Sequence, residues 1–345
     1  MRRRGRLTPV EVREVDPGDV AAFAPWHDVL TAAHQALRPD DVLPDADESR
    51  ATALAGRPER DPSELIELLL VLDGDRPVGG ARIELPLRDN THVSYAEGAV
   101  LPAARGRGAG RALLDAWVER TRGLGRTLLM TELDEPPEGN AAGRRFLERH
   151  GFQEALVEVR RDLPLPVPDA LLDRLEAACA PHAVGYELVS WRGRCPDELV
   201  GERAALGRAM STDVPLGSLD WQEEVWDAAR VRERERLVAE QGRTSVVAAA
   251  RESRTGRLVA FTELAARPAR PEQVDQWETL VLAEHRGRRL GTLVKVAALR
   301  RLGREVPGAR FVSTSNATTN APMIAVNEAL GFAPAGRLGT WQRRL

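Results

Sequence analysis

The chain has 345 residues, of which 29% are charged and 43% hydrophobic, and its formal net charge is −3 at pH 7. This length is enough for two ordinary domains, each with its own core. The small net charge gives no electrostatic reason to expect a nucleic acid or an anionic membrane as a partner, and no apolar stretch approaches the length of a membrane span. The cysteines, Cys179 and Cys195, make neither a zinc motif nor a disulfide framework. We expect a cytoplasmic protein that binds no metal.

The first half of the chain has the patterns of a mixed α+β domain. The turn at Asp73-Gly74-Asp75, between two apolar runs, indicates a β-hairpin. Pro102 ends the third strand of this half because proline cannot donate a hydrogen bond to a central ladder. In chain order, the predicted elements are strand Val10–Val15, helix Val20–Ala36, strands Leu65–Asp73, Pro77–Leu85 and Thr91–Val100, helix Gly110–Leu124, strand Arg126–Glu132, helix Ala141–His150 and strand Glu154–Asp162.

A run of alternating prolines over residues 163–168 separates this half from the next and is stiff. We predict domains at residues 1–163 and 185–345, joined by a linker and a connecting helix at residues 164–184. Strands that precede helices and then alternate with them imply a mixed α+β sheet in each half. The second half is predicted to contain strand Tyr186–Trp191, helices Pro196–Met210 and Leu219–Glu240, strands Val246–Ala250, Leu258–Ala265 and Gln273–Leu282, helix Leu290–Leu302, strand Arg310–Ser315, helix Asn320–Leu330 and a closing strand.

Two segments of the chain repeat one another in order and spacing. Val100 precedes the run Arg105-Gly106-Arg107-Gly108-Ala109-Gly110, and 181 residues later Val281 precedes Arg286-Gly287-Arg288-Arg289-Leu290-Gly291. Asn140 and the pair Gly151-Phe152 recur 180 residues later as Asn320 and Gly331-Phe332. Matches at several separated points, with a slip of one residue, indicate the duplication of a whole domain.

Each run suits the binding of a phosphate at the start of a helix. Glycines allow a sharp turn and a close approach to a ligand, and backbone N–H groups at a helix start converge on an anion. The first run has the complete pattern Arg-x-x-Gly-x-Gly, whereas Arg289 replaces a glycine in the second. A Rossmann fingerprint is disfavoured because Arg111 occupies the place of its last glycine, and a P-loop because Gly-Lys-Ser/Thr is absent.

These runs resemble motif A of the GCN5-related N-acetyltransferases, and the segments from each asparagine to its Gly-Phe pair resemble motif B. The resemblance covers both halves and implies two tandem domains of that family, each with a mixed, mostly antiparallel central sheet flanked by helices. In the family, motif A grips the pyrophosphate of acetyl-CoA, so acetyl-CoA is implied as the co-substrate. The implied cofactor contacts are Val100, Arg105, Gly106, Arg107, Gly108, Ala109, Gly110, Arg111 and Asn140 in the first copy, and Val281, Arg286, Gly287, Arg288, Arg289, Leu290, Gly291, Thr292, Asn316 and Asn320 in the second.

The family resemblance also implies where a catalytic base would lie. Acetyl transfer from a thioester to an amine needs a base for the amine and hydrogen-bond donors for the developing oxyanion. A carboxylate on the strand before motif A would serve as the base, and Glu97 and Glu278 occupy equivalent positions there, three residues before Val100 and Val281. The oxyanion donor would be a backbone N–H on the same strand. The spacing does not choose between the two glutamates.

The general acid that the family often uses is missing from both copies. A tyrosine before the Gly-Phe pair is typical, but Leu147 stands there in the first copy and Asn327 in the second. A leucine cannot protonate a thiolate, and an asparagine can at best donate a hydrogen bond to it. Asn327, with Asn316 and Asn320 close to it in sequence, favours the second copy for catalysis, whereas the complete glycine loop favours the first.

The sequence as a whole predicts an acetyl-CoA-dependent N-acetyltransferase that acts on a primary amine of a small molecule by direct attack. Candidate acceptors are an aminoglycoside-like antibiotic, an amino acid derivative or a thiol-sugar amine. Two alternatives stay open: acetylation of a protein amine, and a non-catalytic acyl-CoA sensor or scaffold, which the missing tyrosines suggest. By analogy with the family, the protein would be a monomer with two halves packed as an internal pseudo-dimer, or a homodimer.

Overall fold

The computed structural model describes residues 10–39, 41–61, 63–136, 139–267 and 270–345. They form two compact units. The N-terminal unit comprises the described residues up to Ala155 together with Thr340–Leu345, and the C-terminal unit comprises Leu156–Gly339. Each unit is a mixed α+β domain, as the sequence predicted. In the part of the chain described, no helix is both long enough and apolar enough to cross a membrane.

The N-terminal unit is built on a twisted sheet with helices on both faces. The sheet order is β1-β2-β3-β4-β5, followed by the end of the last strand of the chain. Neighbouring strands are antiparallel from β1 to β4, and β4 is parallel to β5. The elements are β1 Val10–Val15, α1 Val20–Gln35, α2 Ala46–Ala55, β2 Glu64–Asp73, β3 Arg76–Pro86, β4 Val93–Val100, α3 Ala109–Gly123, β5 Leu128–Glu135 and α4 Ala141–Arg149.

Successive side chains along each strand point to opposite faces of the sheet, so this unit has one apolar layer on each face. Ile83 and Leu85 of β3 pack with Trp117 of α3 on one face. Leu68 of β2 packs with Phe23 of α1 on the other face. The two helical layers fix the sheet between them, so the residues at the end of β4 have defined positions.

The C-terminal unit repeats this plan. Its sheet order is β6-β11-β10-β9-β8-β7; β10 is parallel to β11, and the other neighbours are antiparallel. A single core cluster joins α8 to the sheet. The elements are β6 Gln153–Pro164, α5 Asp169–Cys179, β7 Tyr186–Arg192, α6 Val200–Met210, α7 Ala228–Glu240, β8 Thr244–Glu252, β9 Leu258–Ala266, β10 Gln273–Val281, α8 Leu290–Glu305, β11 Phe311–Ala317, α9 Ala321–Leu330 and β12 Ala333–Arg344.

Two helices differ from the sequence prediction. Helix α2 was not predicted, although the Asp45 side chain caps it by accepting a hydrogen bond from the backbone N–H of Glu48 at 2.9 Å. The helix predicted over 219–240 begins only at Ala228, because Asp227 caps it there. The segment before it is irregular and places the Trp226 ring against Gly207, where a Cβ would lie 2.8 Å from the ring.

The compact units also differ from the predicted domain boundaries in two strand segments. Residues 156–163, predicted as the end of the first domain, belong to the C-terminal unit, and residues 340–345 belong to the N-terminal unit. The backbone explains both assignments. Strand β6 pairs with β11 from Glu158 to Pro164, and the backbone N–H of Leu345 donates to the carbonyl oxygen of Thr127 at 2.9 Å.

Candidate functional site

In each unit the two central parallel strands pair for only a few residues before they separate. Pairing joins Val93–Tyr95 of β4 to Leu128–Met130 of β5, although β4 continues to Val100. In the C-terminal unit it joins Gln273–Asp275 of β10 to Phe311–Ser313 of β11, although β10 continues to Val281. The later part of β4, and likewise of β10, therefore has a backbone edge on which an extended ligand can form hydrogen bonds.

The loop after β4 has the geometry of an anion cradle. Gly106 and Gly108 have φ values of +74° and +97°, which side-chain-bearing residues rarely adopt, and a Cβ on either would project into open space. Gly108 is the N-cap of α3, and no side chain caps that helix start. The Arg105 Nε donates to the Val100 carbonyl oxygen at 3.1 Å and braces the loop on the strand. The N–H groups at the start of α3 therefore meet no side-chain cap that would compete with a ligand.

The loop after β10 has the same backbone path despite its missing glycine. The Arg286 Nε donates to the Val281 carbonyl oxygen at 3.1 Å, and Gly287 has a φ of +79°. Arg289 is the N-cap of α8 and adopts a left-handed φ of +57°. Its guanidinium donates to the Ala178 carbonyl oxygen at 3.0 Å, so the side chain points back to α5. The substitution therefore leaves the helix start without a capping side chain.

The remaining residues that the resemblance implied as cofactor contacts fall into three groups by exposure. Those in the exposed loops can offer side chains to a ligand, whereas the buried ones can offer only backbone. Arg111 lies against Asp115 at 2.8 Å, and the Arg288 guanidinium lies 5.5 Å from the centre of the Tyr186 ring. The exposed group is Arg107, Arg111 and Arg288, the partly buried group is Gly110 and Thr292, and the buried group is Ala109, Leu290 and Gly291.

The predicted asparagines hold the helices of the two motif B segments in place. The Asn140 side chain accepts from the backbone N–H of Gly143 at 3.1 Å and caps α4. Asn320 caps α9 in the same way, accepting from Met323 at 3.4 Å. Asn327 is fully buried and donates from Nδ2 to the Asn316 Oδ1 at 2.5 Å. This pair links α9 to β11 and engages one of the two N–H donors of Asn327.

Glu97 lies near the end of β4, just before the cradle. Its side chain is 52% exposed, and Oε1 accepts a hydrogen bond from the Tyr95 hydroxyl at 3.1 Å. Arg82, directly opposite on β3, approaches the other carboxylate oxygen at 3.6 Å. Burial, followed by the charge of Glu97, raises the pKa of Tyr95 well above its usual value, so this tyrosine keeps its proton. Glu97 is accessible to solvent and is oriented by Tyr95 and Arg82.

Glu278 lies at the equivalent place in β10, directly after a β-bulge, in a different environment. Its carboxylate is 19% exposed and is held by two arginines, with Arg234 at 2.8 Å from Oε1 and Arg203 at 3.0 Å from Oε2. Burial raises the pKa of this carboxyl, but the two guanidinium groups outweigh burial and lower it below its usual value. Glu263, the counterpart of Arg82, joins the cluster through Arg203 at 2.9 Å. Both oxygens of Glu278 are therefore occupied.

Sequence reasoning missed the partners of both glutamates. The sequence could have predicted Tyr95 as a partner of Glu97, because residues two apart in a strand lie on the same face of the sheet. No sequence pattern could have predicted Arg203 and Arg234 as partners of Glu278, since they lie on helices 75 and 44 residues away from it in the chain. Among the described residues no cluster of three or more His, Cys, Asp or Glu side chains is suited to hold a metal ion.

Fold and site together define a duplicated α+β domain with a glycine-containing loop at a helix start, where the two central parallel strands separate. The family model named acetyltransferase (GNAT) domain matches residues 65–154. Mycothiol acetyltransferase from Acidothermus cellulolyticus is 36% identical over 107 residues, which is 30% of this chain and 31% of that relative. A tandem GNAT protein from the clavulanic acid biosynthesis pathway has a TM-score of 0.79 at 29% identity, covering 97% of this chain and 98% of that one.

A GCN5-related N-acetyltransferase from Sphaerobacter thermophilus superposes with a TM-score of 0.63 at 16% identity, over 97% of this chain and 95% of that one, which supports the fold alone. Residues 65–154 thus match a GNAT domain, and over nearly its whole length the chain is similar to a tandem GNAT protein, which supports a tandem GNAT acetyltransferase.

Proposed function

We propose that the protein is an acetyl-CoA-dependent N-acetyltransferase that modifies the primary amine of a small molecule, with its chemistry in the N-terminal unit. The observation that carries the proposal is that β4 presents an accessible carboxylate, Glu97, on a strand with a free edge. That strand runs directly into an open anion cradle at Gly108. Because Glu278 is engaged by two arginines and Asn327 by Asn316, we place catalysis in the first copy and not in the second.

The residues of the N-terminal unit fit acetyl-CoA. The uncapped start of α3, with the positive φ of Gly106 and Gly108, suits a pyrophosphate. The free edge of β4 suits the amide groups of a pantetheine arm, as in the addition of a strand to a sheet. Acetyl-CoA would supply a thioester whose carbonyl carbon the amine attacks with loss of the CoA thiolate. Backbone N–H groups on the free edge of β4 would donate to the developing oxyanion.

The face of the sheet that carries Glu97 is rich in acids and suits a cationic amine. Glu84 lies opposite Tyr95 on β3, and Glu64 lies on the neighbouring strand. Burial, reinforced by the charge of Glu84, raises the pKa of Glu64 to about 8. Arg82 is the basic residue that pairs with Glu84 and Glu97. An alkylammonium ion entering this face would reduce the repulsion among the carboxylates.

Glu97 would accept the proton of the bound ammonium, directly or through a water molecule, so that the neutral amine can attack. The Tyr95 hydroxyl, which keeps its proton, orients that carboxylate. Leu147 is buried where the family often has its tyrosine, so we expect the CoA thiolate to leave without a proton from α4. A thiolate is a weak enough base at neutral pH to leave in this way.

The test is acetyl-CoA turnover, followed by release of the free thiol, with a panel of small primary amines. We expect Glu97→Gln to lower kcat by about 10²–10³-fold while retaining acetyl-CoA binding, because glutamine keeps the shape but cannot take a proton. The matched change Glu278→Gln should leave kcat within about threefold of wild type. Equal activity of Glu97→Gln and wild type would exclude Glu97 as the base.

Calorimetric titration with acetyl-CoA separates the alternatives. Binding without turnover on any amine would favour the sensor or scaffold, and turnover on peptide amines alone would favour a protein acetyltransferase. Binding that is lost in Gly108→Trp but kept in Gly291→Trp would assign the working cofactor site to the N-terminal unit. No binding at all would refute the proposed function.

A further inference from the structure

An arginine in the turn after α1 binds an aspartate near the end of β5. Arg38 donates from Nε and from Nη2 to the two carboxylate oxygens of Asp134, and such a bidentate pair fixes direction as well as distance. Arg38 is only 7% exposed. Its backbone N–H donates to the His34 carbonyl oxygen at 2.8 Å, which holds the turn on the end of α1. The ion pair therefore joins α1 firmly to β5.

Helix α1 covers the face of the sheet that carries Glu97. Phe23 of α1 packs with Leu68 of β2. Leu68 lies directly opposite Arg82 of β3, and Arg82 lies directly opposite Glu97 of β4. Directly opposite residues of neighbouring strands lie on the same face of a sheet. Because α1 packs mainly against β3 and β4, the helix lies on the β4 side of the gap that opens between β4 and β5.

Asp134 lies on the other side of that gap. Strands β4 and β5 stop pairing after Tyr95 and Met130, and Asp134 lies four residues beyond Met130, on the separated part of β5. Residues an even number apart in a strand share a face, so Asp134 is on the face of Tyr95 and Glu97. Leu133, the preceding residue, packs in the core on the opposite face, which agrees with this assignment. The Arg38–Asp134 pair therefore spans the gap on the Glu97 face.

Both ends of the ion pair are held in place by further contacts. The Asp134 carbonyl oxygen accepts a hydrogen bond from the Asn140 side chain at 3.3 Å, and Asn140 caps α4. On the other side, Asp41 Oδ2 lies 4.0 Å from the Arg38 Nε and 3.0 Å from the His34 Nε2. The bridge is thus anchored on α1 and on the start of α4, and it can act as a fixed obstacle.

We propose that the Arg38–Asp134 bridge determines acceptor specificity by admitting a small amine to Glu97 and excluding an amine that is attached to a peptide chain. The inference rests on the proposed function, because it concerns the acceptor of the N-terminal unit. An amine on a peptide brings the rest of its chain into the gap on the Glu97 face, where the bridge lies. A small amine has no such chain to accommodate, so the bridge discriminates by a clash with the wrong acceptor.

The experiment measures kcat/KM for two acceptors that carry the same amino group. The first is the small amine of the panel that the wild-type chain acetylates with the highest kcat/KM. The second is that amine with pentaglycine attached at the end remote from the amino group. We expect wild type to prefer the first acceptor by about tenfold or more, and Arg38→Gln and Asp134→Ala to reduce the preference to about threefold or less.

The preference is a ratio, so a variant that folds less well lowers both values equally and leaves the ratio unchanged. Asp134→Ala is the milder variant, because Arg38 keeps Asp41 beside it. Arg120→Gln is the matched control. Arg120 of α3 binds Glu67 of β2 through the same two nitrogens, Nε and Nη2, on the opposite face of the sheet. This control should keep the wild-type preference.

The outcomes separate this proposal from the proposed function. Failure of wild type to acetylate any amine would refute the proposed function and the role of the bridge with it. Turnover by wild type without a preference for the small amine would overturn the role of the bridge alone. The same conclusion would follow if either bridge variant kept the wild-type preference, or if Arg120→Gln lost it to the same extent as the bridge variants.

Discussion

Lys295 is the single lysine of the chain, and it lies inside the C-terminal unit. Its side chain is on α8 and is 2% exposed; its Nζ donates to Gln276 Oε1 at 3.2 Å and lies 5.3 Å from the centre of the Phe332 ring. Burial lowers the pKa of Lys295 to about 7. Because desolvation disfavours the ammonium form, we predict that the stability of this unit depends on the protonation of one lysine.

The direction in which the free energy of unfolding changes with pH follows from the number of protons that each state binds. Between the folded pKa of about 7 and the unfolded value of about 10.4, the unfolded chain holds one proton more than the folded chain. The free energy of unfolding should therefore rise with pH by about 1.4 kcal/mol per unit in that window. From pH 7 to pH 9 the gain is about 2 kcal/mol, because the folded lysine is still half protonated at pH 7. Below the window both states are protonated, and above it both are neutral.

The assay uses the fact that the chain has one lysine. Protein labelled with ¹³C-lysine should give one Cε signal that titrates with a midpoint near 7, and near 10.4 when unfolded in urea. Urea unfolding at pH 7 and pH 9 should show the gain of about 2 kcal/mol in wild type relative to Lys295→Met. Arg304→Met, an exposed change on the same helix, should behave like wild type. A folded midpoint above about 9.5, or equal pH dependence in wild type and Lys295→Met, would refute the reasoning.

Three further predictions concern the candidate site. Gly108→Ala should weaken acetyl-CoA binding about 5- to 30-fold in calorimetry, because alanine resists a φ of +97° by about 1–2 kcal/mol, whereas Gly123→Ala at the end of α3 should leave binding unchanged. Asn140→Ala should lower the free energy of unfolding by about 1 kcal/mol through loss of the α4 cap, measured by urea titration; no change would contradict the capping role. Glu278→Gln should destabilise the C-terminal unit by about 3 kcal/mol in urea unfolding, because it leaves buried guanidinium charge uncompensated; wild-type stability would count against that ion-pair role.

Local sequence patterns predicted most of the helices and strands, and the repeat between the two halves predicted two domains of the same fold. Hairpin turns, strand alternation and helical spacing are local patterns, and their bounds agree with the structure within a few residues for β2, β3, α3 and α4. The helix α2 shows where local patterns are weak. Its apolar residues are mainly small alanines, so neither side-chain volume nor a wide apolar stripe marked it, and its Asp45 cap lies in a segment rich in proline and aspartate.

The difference between the two candidate glutamates was invisible in the sequence. Glu97 and Glu278 have the same spacing to their loops, but Glu97 faces Arg82 at the surface and Glu278 faces Glu263 with two helical arginines above it. Those arginines come from α6 and α7, whose positions over the sheet depend on packing. A carboxylate's availability depends on everything folded around it, so only the structure distinguishes the two.

The sequence by itself determined that a whole domain is duplicated, that each copy is a mixed α+β fold, and that each has a glycine-containing turn at the start of a helix. These features are encoded locally, in residue spacing and in backbone conformations that glycine favours. Only the tertiary structure decided that residues 156–163 belong to the C-terminal unit and residues 340–345 to the N-terminal unit, and that two helical arginines hold Glu278. Strand partners and ion-pair partners are non-local contacts, fixed by hydrogen bonding and packing between segments far apart in the chain.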